Sequence, residues 1–331
     1  MRPVVVHIAT RRGITSLRNT KRKGQSLGAN VVTVQYEHML DREEWPRGVY
    51  LFTDMERATP WQRAIASTLW DKLAEDRGAF RAFNHPVHHL RRYELLRALF
   101  QNGTNGFNAY RLSELPAEVR YPVFVRYVDR HIGPSTDLLH NDQELERALA
   151  AMLVEGHDST RLIVVEFHDT SRGTSIFRKY GAFRLGERIY TGHMMASTDW
   201  SVKRELNDRV LVGAEDLEFV KTNPHADQVM EAFKVAGLTW GRMDYGVQDG
   251  RIQVWEINDN PKLGSSVFNR TMGRRVARRV SRSIRRAVWK DELDQVLPGP
   301  PLSFKIDPSD FADHLRLGLP SAPAAPLRLE S

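Results

Sequence analysis

Gly241-Arg242-Met243-Asp244-Tyr245-Gly246-Val247-Gln248-Asp249-Gly250-Arg251-Ile252-Gln253-Val254-Trp255-Glu256-Ile257-Asn258 reads as two β-strands joined at a tight turn. The first strand carries Arg242 and Asp244, two positions apart, and the second ends in Glu256-Ile257-Asn258. Three oxygen-bearing side chains, Asp244, Glu256 and Asn258, can converge there with the Arg242 guanidinium beside them. Hard oxygen donors of this kind suit Mg²⁺, which is held by one or two carboxylates together with the phosphates of a nucleotide.

Cross-strand register decides whether the two carboxylates meet, because side chains alternate faces along a strand. A two-residue Asp249-Gly250 loop pairs Gln248 with Arg251 and sends Asp244 and Glu256 to opposite faces. A three-residue Gln248-Asp249-Gly250 loop pairs Val247 with Arg251 and puts Asp244, Val254 and Glu256 on one face. That loop needs glycine at its left-handed third position, where Gly250 stands. The three-residue loop is therefore the expectation.

Arg242-x-Asp244, a hairpin, then Glu256-x-Asn258 followed by Pro261 resembles the metal-binding end of the ATP-grasp superfamily. The resemblance is to its D-alanine–D-alanine ligase-like and ribosomal-protein glutamate-ligase-like branches, and the order of elements agrees over residues 1 to about 290. It implies an architecture of mixed α/β and α+β parts. These are a pre-ATP-grasp α/β domain over 1–85, a lid subdomain over 86–165, a metal-binding C-terminal subdomain with a basic helix over 166–297, and a Pro-rich tail over 298–331.

The 331 residues are enough to bury a sizeable core, and 41% hydrophobic with 27% charged residues describes a globular chain rather than a disordered one. There is no cysteine, which excludes disulfides, thiolate nucleophiles and thiolate metal sites. The apolar run after Met1-Arg2-Pro3 is too short for a signal-peptide core or a membrane helix, so a cytoplasmic enzyme is the default reading. The net charge of +7 is uneven. Arg11, Arg12, Arg18, Lys21, Arg22 and Lys23 form one cluster; the stretch from Arg270 to Lys290 forms a denser one. Such surfaces attract polyanions.

Val4-Ile8, Val31-Tyr36 and Val49-Phe52 are short apolar runs suited to a buried sheet. Thr59-Pro60 is an N-cap and first-turn pair for a helix running to about Gly78, with Ile65, Leu69 and Leu73 as its buried stripe. A second helix is expected after Pro86, ending near Gly103. Tyr121–Val128 reads as a strand, and a helix capped by Asn141 or Asp142 buries Leu145, Leu149, Met152 and Leu153 before Gly156. Leu162–Phe167 is a strongly apolar strand. A hairpin turns at Gly186-Glu187, a helix runs from about Pro224 to Gly237, and no internal repeat is present.

The resemblance also assigns roles. The two lid lysines that hold nucleotide phosphates in the family fall on Arg92 and Arg126, both cationic forks able to grip phosphate in place of lysine. The phosphate-covering loop falls on Asp129–Pro134. It has one glycine, and His131 is either a phosphate contact or a plain loop histidine. The hinge that holds adenine through main-chain groups falls on Glu166-Phe167-His168-Asp169, with Glu166 or Asp169 for the ribose. Lys179 lies on the strand that lines the nucleotide, in step with Phe177 and Phe183, as suits a lysine that meets an anion. Arg242 would hold the substrate acyl oxygen, or pair with Asp244, or do both. Substrate-lining loops are expected at Thr10–Gly13, residues 191–204 and the segment after Pro261.

The implied activity is an ATP- and Mg²⁺-dependent carboxylate–amine ligase. It joins a small-molecule or peptide carboxylate to an amine through an acyl phosphate, in a homo-oligomer that does not touch membrane. The alternative is a nucleotide-binding homologue with weak or lost ligase activity and a regulatory or polyanion-binding role. Met272, Val276, Val280, Ile284 and Val288 step by four within the basic segment. That helix is either packed on the body with a solvated cationic face or binds an acidic or phosphorylated partner.

Overall fold

The computed structural model describes residues 3–15, 30–76, 78–130, 133–202, 211–261 and 290–311. They fall into two compact units. The first takes those within Met1–His89, Asp259–Leu263 and Arg285–Ser331, and the second those within Leu90–Asn258. His131, the N-terminal arginines and lysines from Arg18 to Lys23, and all of the basic segment but Lys290 lie outside the described residues. No helix among the described residues is long and apolar enough to cross a membrane.

The first unit is built on a parallel sheet in the order β2-β1-β4-β5, with β1 at Val4–Ala9, β2 at Asn30–Gln35, β4 at Gly48–Phe52 and β5 at Phe80–Phe83. Continuous burial along β1 and β4 explains why both read as unbroken apolar runs rather than alternating ones. Helix α1, Pro60–Ala74, links β4 to β5. Thr59 accepts from the Gln62 amide at 3.1 Å and Gln62 returns the bond to the Thr59 amide at 2.9 Å, a reciprocal cap on the orphan amides of the first turn. Ile65, Leu69 and Leu73 are buried as expected. A short strand, β3 (Glu44–Trp45), pairs with β13 (Leu302–Ser303), and Trp45 stacks on Phe304.

The second unit holds two antiparallel sheets. In the first, β6 (Ala109–Arg111), β8 (Leu162–Glu166) and β7 (Val123–Tyr127) lie in that order. Period-two alternation sorts its residues between two cores. Val123, Val125, Tyr127, Leu162 and Val164 pack with Leu145 and Met152 of α3, Asp142–Val154. Ile163 and Val165 pack with Tyr93 and Leu96 of α2, Arg92–Gln101. Asn141 is the α3 cap, its side chain accepting from the Glu144 amide at 3.0 Å. Leu153, expected on the apolar face of α3, is instead 47% exposed: the packed face runs through Leu145, Leu149 and Met152, and Leu153 lies one position round the helix from it. Helix α2 starts at Arg92, later than the Pro86 signal suggested, since residues 84–91 form bends and irregular backbone.

The second sheet runs β10-β9-β11-β12. Its strands are β9 (Phe177–Leu185), β10 (Arg188–Ser197), β11 (Trp240–Gln248) and β12 (Arg251–Asn258). The β9–β10 hairpin turns at Gly186-Glu187, as read from the sequence. One face of this sheet carries Tyr180 and Tyr245. They meet Phe219 of α4 (Leu211–Thr222) and His225 at the start of α5 (Ala226–Ala236), while Gly237 closes α5 in the left-handed conformation. The opposite face carries the residues of the candidate site.

Candidate active site

The Gly241–Asn258 hairpin forms, but its loop is the shorter one. Gln248 pairs with Arg251, so Asp249-Gly250 is a two-residue turn. The φ angles of Asp249 and Gly250 are 50° and 74°, the double positive values of the turn whose twist matches flanking strands. The three-residue loop is thereby corrected: the Asp-Gly signal selects a turn type of its own accord. Val254 accordingly pairs with Tyr245, on the far face from Asp244. The carboxylates still meet. The register shifts between Asp244 and Tyr245, leaving Trp255 as one extra residue, and beyond it Asp244 pairs with Glu256 and Arg242 with Asn258. A β-bulge supplies the odd residue that the loop does not.

All four of these side chains therefore share one face. Arg242 grips Asp244 side-on, with Nε to Oδ1 at 2.9 Å and Nη2 to Oδ2 at 3.0 Å. The Asp244 carboxylate holds the Arg242 guanidinium more firmly in its charged form, against the opposing effect of burial. Lys179 of β9 brings Nζ to 3.8 Å from Asp244 Oδ2, so its alternation with Phe177 and Phe183 does point it at an anion.

Glu256 is approached from the other sheet and from α2. Its Oε2 accepts from Arg92 Nη2 at 2.9 Å and from Arg126 Nη2 at 3.0 Å. Arg126 shares its β7 face with Phe124, as alternation requires, and its side chain is 8% exposed. Arg92 is more deeply engaged. Its Nη1 donates to the carbonyls of Tyr127, Val128 and Arg130 at 3.1, 2.6 and 3.1 Å, which fixes the start of the 129–134 loop. Arg92 thus braces the loop and Glu256 together.

The 166–169 segment lies at the end of β8. Both Glu166 oxygens are occupied: Oε1 by the Tyr110 hydroxyl at 2.9 Å, Oε2 by the Asn108 amide at 2.9 Å and Arg120 at 2.5 Å. Asp169 is exposed, with Oδ1 accepting from the Ser171 amide at 2.7 Å. His168 packs over Gly106, where a Cβ would come within 2.5 Å of its ring, and burial next to Arg120 lowers its pKa. Phe167 packs edge-on to Phe177 and Trp200, and Trp200 reaches Phe124. Of these four half-buried rings, Phe124 stands two residues from Arg126 on β7 and Phe177 two residues from Lys179 on β9.

Sequence reasoning missed Arg120 in this neighbourhood and, although it named residues 191–204 as substrate-lining, did not single out Trp200 or His193 within them. Trp200 and Arg120 carried no motif signal. His193 was hidden by a second bulge, at Gly192-His193 opposite Gly181. Burial drives the His193 imidazole down to about 4, with Arg242 and Lys179 acting in the same direction and Asp244 against them.

Four cations, Arg92, Arg126, Lys179 and Arg242, thus meet two carboxylates, Asp244 and Glu256, a balance of 4 − 2 = +2. No group of three His, Cys, Asp or Glu side chains among the described residues could hold a metal by itself. The oxygen donors of Asp244, Glu256 and Asn258 fit Mg²⁺ only in company with an anion, because a bare dication gains nothing from entering a net positive cage.

No family profile matches the chain, and no curated protein matches it. Among solved structures it is similar to D-alanine–D-alanine ligase from Bacillus anthracis at 11% identity, with a TM-score of 0.47 over 86% of this chain and 99% of that one. An L-amino acid ligase from Bacillus licheniformis gives 14% identity and a TM-score of 0.48 over 92% and 76%. A RimK-domain ATP-grasp protein from Sphaerobacter thermophilus gives 14% and 0.47 over 84% and 98%. The likeness is to ATP-grasp proteins, the family whose motif the hairpin resembles. With each TM-score below 0.5, the chain's own geometry carries the functional reading.

Proposed function

We propose that the chain is an ATP- and Mg²⁺-dependent carboxylate–amine ligase. The observation that carries this reading is the bulge at Trp255, which sets Glu256 opposite Asp244 within reach of four cationic side chains. A free carboxylate resists attack by an amine because it would have to expel oxide. Transfer of the γ-phosphoryl group of ATP to the carboxylate oxygen gives ADP and an acyl phosphate. The amine then attacks the acyl carbon, and inorganic phosphate leaves as the amide forms. Such chemistry asks the protein for positioning and charge neutralisation rather than covalent help.

In this reading Arg126 and Lys179 hold phosphate oxygens and Arg242 faces the oxygen on which charge develops during attack. Arg92 keeps the Tyr127–Arg130 main chain and Glu256 in place. Asp244, Glu256 and Asn258 would hold Mg²⁺, which supplies neutralisation of the phosphate charge when bound. The rings of Phe124, Phe167, Phe177 and Trp200 suit the faces of a purine, and Asp169 suits a ribose hydroxyl better than the fully engaged Glu166. The substrates are a small-molecule or peptide carboxylate and an amine. ADP release measured across a panel of acids and amines, with and without Mg²⁺, tests the proposal. Nucleotide binding without turnover on any pair would reject it.

A second reading rests on the same guanidinium contacts. Asp244 is gripped side-on by Arg242, and Oε2 of Glu256 is shared by Arg92 and Arg126, as in a nucleotide-binding protein that senses rather than turns over its ligand. Metal-independent nucleotide binding would favour it.

A further inference from the structure

A sheet ends in two edge strands, whose outward N–H and C=O groups pair with any strand that reaches them unless the chain blunts them. The three larger sheets have six edges, and five of these carry a blunting device. On β12 the Asn105 side chain takes the Val254 amide and carbonyl at 2.8 and 2.9 Å, and Gln228 takes the Ile252 amide at 3.0 Å. On β10 Asp216 of α4 accepts from the Met194 amide at 2.7 Å, and Asn223 donates to the Ile189 carbonyl at 3.2 Å. On β7 the Thr136 hydroxyl accepts from the Val125 amide at 3.0 Å, and the Ser135 amide donates to the Val125 carbonyl at 2.7 Å. Strand β6 is three residues long and ends in Arg111. Strand β5 is four residues long and carries Arg81, paired with Glu292; just before it, the Gly78 carbonyl accepts from the Leu297 amide at 2.8 Å.

Strand β2 differs. Its sequence, Asn30-Val31-Val32-Thr33-Val34-Gln35, has no charge and no proline. It is six residues long, as long as β1, and pairs with β1 in one unbroken register from Val4–Asn30 to Ala9–Gln35, so no bulge turns it aside. Among the described residues no hydrogen bond reaches its outer side. Val31 and Val34 are buried, and Val32, Thr33 and Gln35 are half-buried. The strand is packed on the faces of its sheet and left without a partner along its rim.

The residues of that rim say what it accepts. A charged strand finds no counter-charge on it, whereas a second copy of β2 matches it in length, in neutrality and in β-branched side chains. Antiparallel pairing about a two-fold axis through the middle of the strand sets Val32 opposite Thr33, and Val31 opposite Val34, of the second copy. Each of these is a β-branched pair of the kind that stabilises neighbouring strands, and no like charges meet across the axis. The blunted β5 edge closes the far side of the sheet, so this pairing stops at two copies instead of running on into a fibre.

We infer that the rim of β2 is a self-association surface, through which two copies of the chain join their parallel sheets edge to edge into one eight-stranded sheet. The inference stands apart from the ligase reading and is tested without turnover. Sedimentation equilibrium of the full wild-type chain is expected to show monomer and dimer exchanging in the micromolar range, as suits a contact smaller than a standard interface. Val32→Lys/Thr33→Lys sets lysine opposite lysine at both central pairs, and Val32→Glu/Thr33→Glu sets glutamate opposite glutamate. Each variant is expected to dimerise at least about ten-fold more weakly, and their equimolar mixture to recover the association as a heterodimer.

A wild type that stays monomeric from micromolar to millimolar concentration overturns the inference. So does a dimer that persists undiminished in both charged variants, because its interface then lies elsewhere. A mixture that fails to reassociate, while each variant keeps the wild-type far-UV circular dichroism, overturns the proposed register and the inference with it. Where either variant unfolds, amide hydrogen exchange of the wild type decides. Protection of residues 31–35 that rises with protein concentration upholds the edge pairing, and protection independent of concentration overturns it.

Discussion

Glu256→Gln isolates the electrostatic logic of the cage. The Glu256 carboxylate faces Arg92 and Arg126, whose side chains are 1% and 8% exposed, and is itself 16% exposed, so solvent screens these pairs little. Glutamine keeps the shape and one acceptor but removes the charge, leaving two buried guanidiniums without their shared counter-ion. Breaking a buried pair by removing one partner costs about 3–5 kcal/mol. The three carbonyls that still accept from Arg92 favour the lower end, ~3 kcal/mol. For a unit of this size that corresponds to a fall of roughly 6–12 °C in melting temperature. The cage balance rises from +2 to 4 − 1 = +3, so an anion should now bind more tightly and restore what was lost. Pyrophosphate at about a hundred times its dissociation constant returns roughly 2.7 kcal/mol. The assay is thermal unfolding of wild type, Glu256→Gln and Glu256→Gln/Arg126→Gln over a pyrophosphate series. The double variant, with one orphaned charge removed, should recover about 1–3 kcal/mol relative to additivity. A loss below ~1 kcal/mol, with no pyrophosphate rescue and no coupling, refutes the reasoning.

Other outcomes follow from single contacts. Arg242→Lys loses the side-on grip on Asp244, and steady-state ADP release should show kcat down about a hundred-fold with the KM for ATP little changed. Thr59→Ala removes one half of the α1 capping box and should cost about 1 kcal/mol in urea unfolding. Two pH effects have opposite sign and belong to different units. Burial raises the Asp259 carboxyl to about 7, although it accepts from the Met55 and Asp54 amides. The fold then binds this proton more tightly than the unfolded chain does, so the first unit loses stability as pH rises from about 4 to about 7. Asp259→Asn should remove up to roughly 4 kcal/mol of that slope. His193, pushed down to about 4, behaves oppositely: the unfolded chain takes up the proton first, so the second unit loses stability as pH falls from 6.5 to about 4. In His193→Phe this acid sensitivity should flatten by up to ~3 kcal/mol in far-UV melts.

Elements with strong local signals were legible from the residues alone. The Thr59-Pro60 cap, the Gly186-Glu187 turn and the Gly237 stop each depend on interactions within a few residues, and each appears where the sequence puts it. Helix α4 escaped notice because Gly213 interrupts its apolar pattern and its stability comes from packing Phe219 against Tyr180. Arg92 and Arg126 were legible as cations, but not the division between them. Which one is consumed by main-chain carbonyls depends on where the chain runs from Tyr127 to Arg130, and no spacing rule encodes that.

The hairpin shows most clearly why local reading and site geometry diverge. Turn chemistry acts on two residues: Asp249-Gly250 adopts positive φ at both, and this fixes Gln248 opposite Arg251. Side-chain parity acts over the whole ribbon, and with that turn a regular ladder would set Trp255, not Glu256, against Asp244. The two demands are reconciled by placing the odd residue four positions beyond the pair Gln248–Arg251 rather than in the loop, and by using a large side chain there. Trp255 lies over Gly246 and packs with the cluster around Tyr93, Leu96 and Phe107, so the bulge is pinned by apolar burial. A glycine at 246 is what lets the tryptophan lie flat. The pattern Gly-Val-Gln-Asp-Gly followed by an unpaired aromatic just before the acid is therefore the signal that carried the answer, and it becomes readable only when turn type and face parity are required to agree.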